Sequence, residues 1–345
     1  MRQYCLKTIV TAAIYITLHF CVCLFVPSVI PAEYWVRELI VVKRRLAASI
    51  LSPRIIFLGG SSTLFGINAR EVEAETGLPA MNMGLHAALP LERVLSIGDE
   101  VVRSGDVLVL SLEYNFYACG RGAWNRWQVG NALAWDRSYF GSLPFGDRIK
   151  ATFSGGDPLL MITILVSKLG SIAVPKYYAD RIMALAPDEV IWARYRSDGL
   201  RTRKFAYSAY NIDDRGDMLG NDKAMFSASG VPVTEPSDVC PDVLSVLSSF
   251  VARLKERGVQ VIVSHTPYLT EGTPIHGWRE SEAHFLRDIS SIGVKVLDRR
   301  EELFLPRAYF FNTSLHLNAI GRRVWTKAVI ADLRAWGKKF SLQGP

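Results

Sequence analysis

The sequence has no C-x-x-C pair and no other metal-ligand spacing among its five cysteines, three of which, Cys5, Cys21 and Cys23, lie in or beside an apolar N-terminus. A zinc ribbon and a thioredoxin-like redox motif are thereby excluded. The sequence also lacks H-E-x-x-H, the P-loop and G-x-G-x-x-G. A zinc protease, a nucleoside triphosphatase and a dinucleotide enzyme are left without support, and no metal or cofactor is expected. No internal repeat or low-complexity tract occurs, and no stripe of Lys and Arg is interleaved with aromatics, so nucleic acid is not an expected partner. The net charge of +7, from 40 Lys and Arg against 33 Asp and Glu over 345 residues, is dilute and suits cell-envelope polymers or lipid headgroups equally well. With 49% hydrophobic and 21% charged residues, the chain can bury a large core and is not generally disordered.

Charge is missing altogether from Thr8 to Ala32, "TIVTAAIYITLHFCVCLFVPSVIPA". The hydrocarbon layer of a bilayer needs about 20 apolar residues, so a transmembrane helix is expected over 8–32. Its length favours an uncleaved anchor over a signal peptide, whose apolar core is shorter and ends at a small-residue cleavage site. Arg37, Lys43, Arg44 and Arg45 follow the run. Counting them alone would hold the large domain in the cytoplasm, although long domains translocate largely regardless of such charge. Segment 33–53 reads either as an interfacial helix on the membrane or as a connecting helix packed on the domain. Cys119 and Cys240 are either two unrelated small core residues or, in a domain outside the cytoplasm, a disulfide.

The run "RIIFLGG" (54–60) reads as a buried strand closed by a turn, and Asn68 as the N-cap of a helix to about Thr76. "LPAMNMGL" reads as a second strand, "PLERVLSIGDEVVRSGD" as a helix set between Pro90 and Gly105, and "DVLVLSLEYN" as a third strand buried on both faces. This alternation is the rhythm of a parallel sheet. It breaks over about 116–236, an irregular stretch rich in Trp, Tyr, Arg and Gly, in which 118–148 reads as elaborate loop structure beside a site. One apolar helix is expected there, in "DPLLMITILVSKLGSIAVPKYY"; it is too short to span a bilayer and would pack in the core or touch the membrane. The rhythm resumes with "VLSVLSSFVARLKERG" as a helix, "VQVIVSHTP" as a strand, "SEAHFLRDISSIG" as a helix, "VKVLD" as a strand, and a last helix after "HLNAIG". The expectation is a single α/β domain over 54–340 with one large insertion at about 116–236.

In an open parallel sheet the loops at the carboxyl ends of the strands gather at one edge, where sites form. These loops hold Gly59-Gly60-Ser61-Ser62, Asn82-Met83-Gly84 and Glu113-Tyr114-Asn115, and His316 stands far downstream in "FFNTSLHLNAIG". A serine on a turn, a distant histidine and glycine-loop amides are the parts acyl transfer needs. The serine attacks, the histidine takes its proton, and N–H groups stabilise the oxyanion. The same residues have plainer readings. Ser61 and Ser62 could cap a helix or line a turn, Gly84 could serve a turn, and His86 or His265 could satisfy a loop. The G-x-S-x-G elbow does not fit, because Thr63 stands where its last glycine should be.

These blocks resemble those of the SGNH (GDSL-like) hydrolase and acyltransferase superfamily, above all its membrane-anchored branch associated with cell-surface polysaccharide modification. The resemblance covers about 54–115 and 259–331 and not the middle of the chain. The Gly-Asp-Ser block stands as Gly59-Gly60-Ser61, without its aspartate; the Gly-x-Asn-Asp block as Glu113-Tyr114-Asn115-Phe116, with the asparagine alone retained; and the Asp-x-x-His block ends in His316 with Thr313 at the acid's position and Asn312 just before it. The resemblance implies a three-layer α/β/α, flavodoxin-like parallel sheet behind an N-terminal transmembrane helix. It implies Ser61 as nucleophile, with Ser62 as the fallback, and His316 as base. The oxyanion hole would be Ser61 N–H, Gly84 N–H and Asn115.

An amide in place of the triad acid costs on the order of 10⁴ in kcat in a serine protease. Three accounts follow: Asn312 orients His316 through its carbonyl, Asp298 or Glu113 reaches it instead, or the site is inactive. The implied function is O-acyl transfer or ester hydrolysis, acetyl foremost, on a surface polysaccharide. The implied setting is a single-pass protein of the bacterial inner membrane, its soluble domain outside the cytoplasm, with a polytopic membrane acyltransferase as partner. Trp124 and Trp127 would stack on sugar rings or pack in the core. The competing readings are a catalytically inactive SGNH-like subunit of a polysaccharide biosynthesis or export complex, and a membrane-bound structural protein whose serine loop only caps a helix.

Overall fold

The computed structural model describes residues 2–25, 32–120, 124–154, 158–197, 204–223, 225, 238–270, 278–297 and 300–340. The chain divides into two compact units, residues 1–38 with 121–191, and residues 39–120 with 192–345.

The first unit contains α1 (Arg2–Phe25), the start of α2 (Tyr34–Ser49), α6 (Arg126–Ala134), α7 (Arg137–Ser142), α8 (Phe145–Ser154), α9 (Pro158–Ala173), α10 (Ala179–Ala184) and the first turn of α11 (Asp188–Arg196). Its core gathers Tyr34, Val129, Leu133, Phe140, Ala151 and Tyr178. The loop structure expected over 118–148 is corrected here: 126–134, 137–142 and 145–154 are helical. Asn125 and Gln128 form a reciprocal capping box at the head of α6. Trp124 packs beside this core, edge-on to Phe140. The charge-free run is helical through Phe25, and residues 26–31 lie outside the described residues. Among the described residues no helix is long and apolar enough to cross a membrane.

The second unit is α/β. Its strands are β1 (Ile55–Gly59), β2 (Ala80–Gly84), β3 (Val107–Ser111), β4 (Gln260–Val263), β5 (Tyr268–Leu269), β6 (Lys295–Val296) and β7 (Phe304–Leu305). Five of them form one parallel sheet in the order β2-β1-β3-β4-β6, and β5 pairs with β7 apart from it. Every residue of β1, β2 and β3 is buried, as expected for strands covered on both faces. The helices of this unit are α3 (Ser61–Gly66), α4 (Ala69–Thr76), α5 (Leu91–Val101), α12 (Pro241–Glu256), α13 (Trp278–Ser291) and α14 (Ala319–Phe340).

Local sequence explains the crossovers. Asn68 accepts a hydrogen bond from Glu71 N (3.2 Å) at the head of α4, and Gly77, at φ 75°, closes it. Trp325 of α14 is fully buried with Phe310, Leu317 and Val329. The middle of α2 is packed rather than lying on a surface: Leu39, Ile40, Val42 and even Lys43 are buried. From β1 the chain steps outward to β2, then crosses back to β3 on the other side, so the switch point of the sheet lies between the carboxyl ends of β1 and β3. Cys119, soon after β3, is disulfide-bonded to Cys240 at the head of α12, with Cα atoms 4.9 Å apart.

Candidate active site

Gly59, Gly84 and Ser111 lie side by side in the register of β1, β2 and β3, so three loops leave the sheet at one level. The first turns at once into α3, which Ser61 opens. Both glycines of "GGSS" answer to close neighbours. A Cβ on Gly59 would strike the Ser111 carbonyl and the Thr63 hydroxyl, and one on Gly60 would strike the Glu113 carboxylate. That carboxylate lies at the switch point and accepts hydrogen bonds from Gly60 N (3.1 Å) and Ser62 N (2.7 Å). Glu113, two residues beyond the end of β3, thus sets a carboxylate against position 60. Burial pushes the Glu113 carboxyl above the usual carboxylate range, with the Ser62 and Gly60 amides pulling it back.

His316 is buried against the face of α3 that Ser61 begins. Phe65 lies one turn beyond Ser61, on the same helix face, and its ring stacks on the imidazole with centroids 4.0 Å apart. Asn312 donates through Nδ2 to the Tyr207 hydroxyl (2.9 Å), which leaves Oδ1 facing His316 Nδ1 at 2.8 Å. An amide carbonyl at Nδ1 fixes the tautomer with the proton there and leaves the lone pair on Nε2. Burial, helped by His86 nearby, holds this imidazole down at about 3. Among the described residues no hydrogen bond joins Ser61 to His316.

The structure therefore gathers Phe65, His86, Asn312 and His316, with Ser61 one helical turn from Phe65 on α3. It gives other places to the remaining candidates. The Gly84 amide, expected in the oxyanion hole, instead donates to Asn82 Oδ1 (2.8 Å). Asn115 sits on a 3-10 turn after β3, and its Oδ1 is buried without a hydrogen-bond partner. Glu113 is bound to amides rather than to His316, and Asp298 lies outside the described residues. His265 belongs to a buried cluster of its own, bonded through Nδ1 to the Tyr114 hydroxyl and 4.0 Å from Glu282.

A buried network under the β2 loop escaped the sequence reading. Lys43 Nζ donates to the carbonyls of Asn82 and Gly84, each at 2.7 Å. Asn82 Nδ2 donates to Asp217 Oδ1 (2.9 Å), and Asp217 Oδ2 accepts from Ala69 N (2.8 Å). Burial pushes Lys43 down to about 7, with Asp217 and Asp213 opposing. Burial and then Asp213 push Asp217 up to about 7, with Arg322 opposing. A signal for Lys43 existed: it falls among apolar positions spaced at three and four residues along α2.

Compared with known proteins, the chain matches no family model, and no curated protein is significantly similar to it.

Proposed function

We propose that this chain is a membrane-anchored, SGNH-like serine O-acyltransferase or esterase acting on acetyl esters of a cell-surface polysaccharide. The observation that carries this reading is the 2.8 Å contact of Asn312 Oδ1 with His316 Nδ1, on an imidazole stacked one helical turn from Ser61. Ser61 Oγ attacks the acyl carbonyl and its proton passes to His316 Nε2. In this reading the Ser61 N–H and the Asn115 side chain stabilise the developing oxyanion. Collapse of the tetrahedral intermediate expels the donor oxygen, which takes the proton from His316 and leaves an acyl-serine. A sugar hydroxyl, or water, then gives its proton to Nε2 and takes the acyl group. Asn312 replaces an acid by a dipole, so the imidazolium is held less well than in a full triad.

The fold is read as the three-layer SGNH type because the strand order is doubly wound and the serine follows β1. The Cys119–Cys240 disulfide supports a domain outside the cytoplasm, where such bonds persist, behind an N-terminal anchor. A polysaccharide substrate and a polytopic membrane acyltransferase that delivers the acyl group complete the reading.

A second reading, an inactive SGNH-like subunit of a polysaccharide assembly complex, draws on the engaged Gly84 amide and on the Glu113 carboxylate at the switch point. A fluorophosphonate probe separates the two. Under the catalytic reading the full chain is labelled, whereas Ser61→Ala and His316→Ala are not. Equal labelling of Ser61→Ala removes the nucleophile. A chain that neither reacts with the probe nor transfers acetyl from an activated ester favours the inactive subunit.

A further inference from the structure

Among the described residues, the first unit carries an exposed apolar face. Along α9, Ile162, Val166, Leu169 and Ile172 are 57–73% exposed, at the three- and four-residue spacing that lines one side of a helix. The surface continues through Val174 and Tyr177, and Ile182 and Met183 of α10 are also exposed. The inner side is already satisfied. Tyr178 is buried against Gly170, where a Cβ would meet its ring, and joins Ala184 in the core of this unit. Neighbouring Tyr177 is 80% exposed. Contiguous outward apolar residues of this kind mark a docking surface.

Charge identifies what docks. No Asp or Glu occurs over 158–179, where Lys168 and Lys176 are the only charged residues, and Arg181 follows just beyond Asp180. An apolar helix face bordered by cations is the pattern of a segment lying in the headgroup region of an anionic bilayer. The 16 residues of α9 extend only about 24 Å at 1.5 Å per residue, short of the roughly 30 Å hydrocarbon layer. This face therefore lies in the surface and does not cross.

We propose that the face from Ile162 to Met183 is a bilayer-docking surface that inserts shallowly into an anionic membrane, separately from the N-terminal segment. It shares with the proposed function only the membrane location and does not depend on the chemistry at Ser61. The occupant is lipid rather than a second copy, because three basic residues (Lys168, Lys176, Arg181) stand against one acidic residue (Asp180) over 162–183, and a copy would set this basic excess against itself.

The test uses the full chain with Cys5, Cys21 and Cys23 changed to Ser. A bimane label is placed through Ile172→Cys, Ile14→Cys or Lys327→Cys. The protein is reconstituted in phosphatidylcholine and phosphatidylglycerol vesicles with brominated acyl chains. The label at 172 is expected to be quenched and the label at 327 not. Adding Leu169→Asp, or omitting phosphatidylglycerol, reduces the quenching at 172. An unquenched label at 172 beside a quenched label at 14 overturns the proposal and leaves the anchor standing. Loss of quenching at both positions overturns both. Disulfide cross-linking of Ile172→Cys to a second copy, without quenching, gives the face to that copy and overturns the proposal.

Discussion

At the amino edge of β1 and β3, Arg54 is wholly buried, yet its Nε donates to Asp106 Oδ2 at 3.1 Å and its Nη atoms to the carbonyls of Ala47, Ile50 and Val101. Asp106 also accepts from Arg103 N. At the carboxyl edge of the same strands the ionisable groups are equally hidden but are met by dipoles. Glu113 has two backbone amides, and His316 has an amide carbonyl and an aromatic face. The matched ion pair fastens the chain. Among the dipole-served groups, burial pushes the Glu113 carboxyl up and the His316 imidazole down.

The largest expected effect sharpens this contrast. Asn312→Asp supplies the missing opposite charge and should raise acyl transfer by up to about 10⁴-fold, the cost of the amide in a serine protease. Burst kinetics with an activated ester would read it, and an unchanged rate would remove His316 from the mechanism. At the other edge, Arg54→Met leaves Asp106 buried and unpaired. It should cost about 3–5 kcal/mol in urea unfolding, with labelling of the remaining folded molecules unaltered. A smaller loss, about 1–3 kcal/mol, is expected for Gly60→Ala, whose new Cβ displaces the Glu113 carboxylate. Combining it with Glu113→Ala should recover part of that loss, and strictly additive losses would show that the two positions do not compete for space.

A further signal is in pH. An ordinary imidazole titrates near 6.5 and His316 near 3. Between these values the unfolded chain takes up a proton that the folded chain refuses. Stability should therefore fall as pH is lowered through that window, and His316→Asn should flatten the slope of urea midpoint against pH. An identical slope in the variant would place the acid sensitivity elsewhere.

Much of the sheet was legible because its signals are local. The apolar runs of β1 to β3, the Asn68 cap and the glycine after α4 each act within a few residues. Asn312 and His316 were also legible as a pair, being four apart and now 2.8 Å in contact. The rest depends on distant neighbours. α3 has only six residues and no side-chain cap, so nothing in its own sequence marks it as helix. Glu113 reaches Gly60 from the end of another strand, which spacing cannot show. Lys43 stands in a basic cluster that resembles a membrane flank, and only the buried carbonyls of Asn82 and Gly84 explain it. The helices of 126–196 are short and rich in aromatics and glycine, and no single periodicity runs through them.

The bond between Cys119 and Cys240, 121 positions apart in the sequence, closes the chain between them into a covalent ring. A protease that cuts inside that ring opens it without releasing a piece. The nicked protein would run as one species until a reductant is added and as two afterwards. Such a molecule can be cleaved inside the ring and still hold Ser61 and His316 on one covalently connected body.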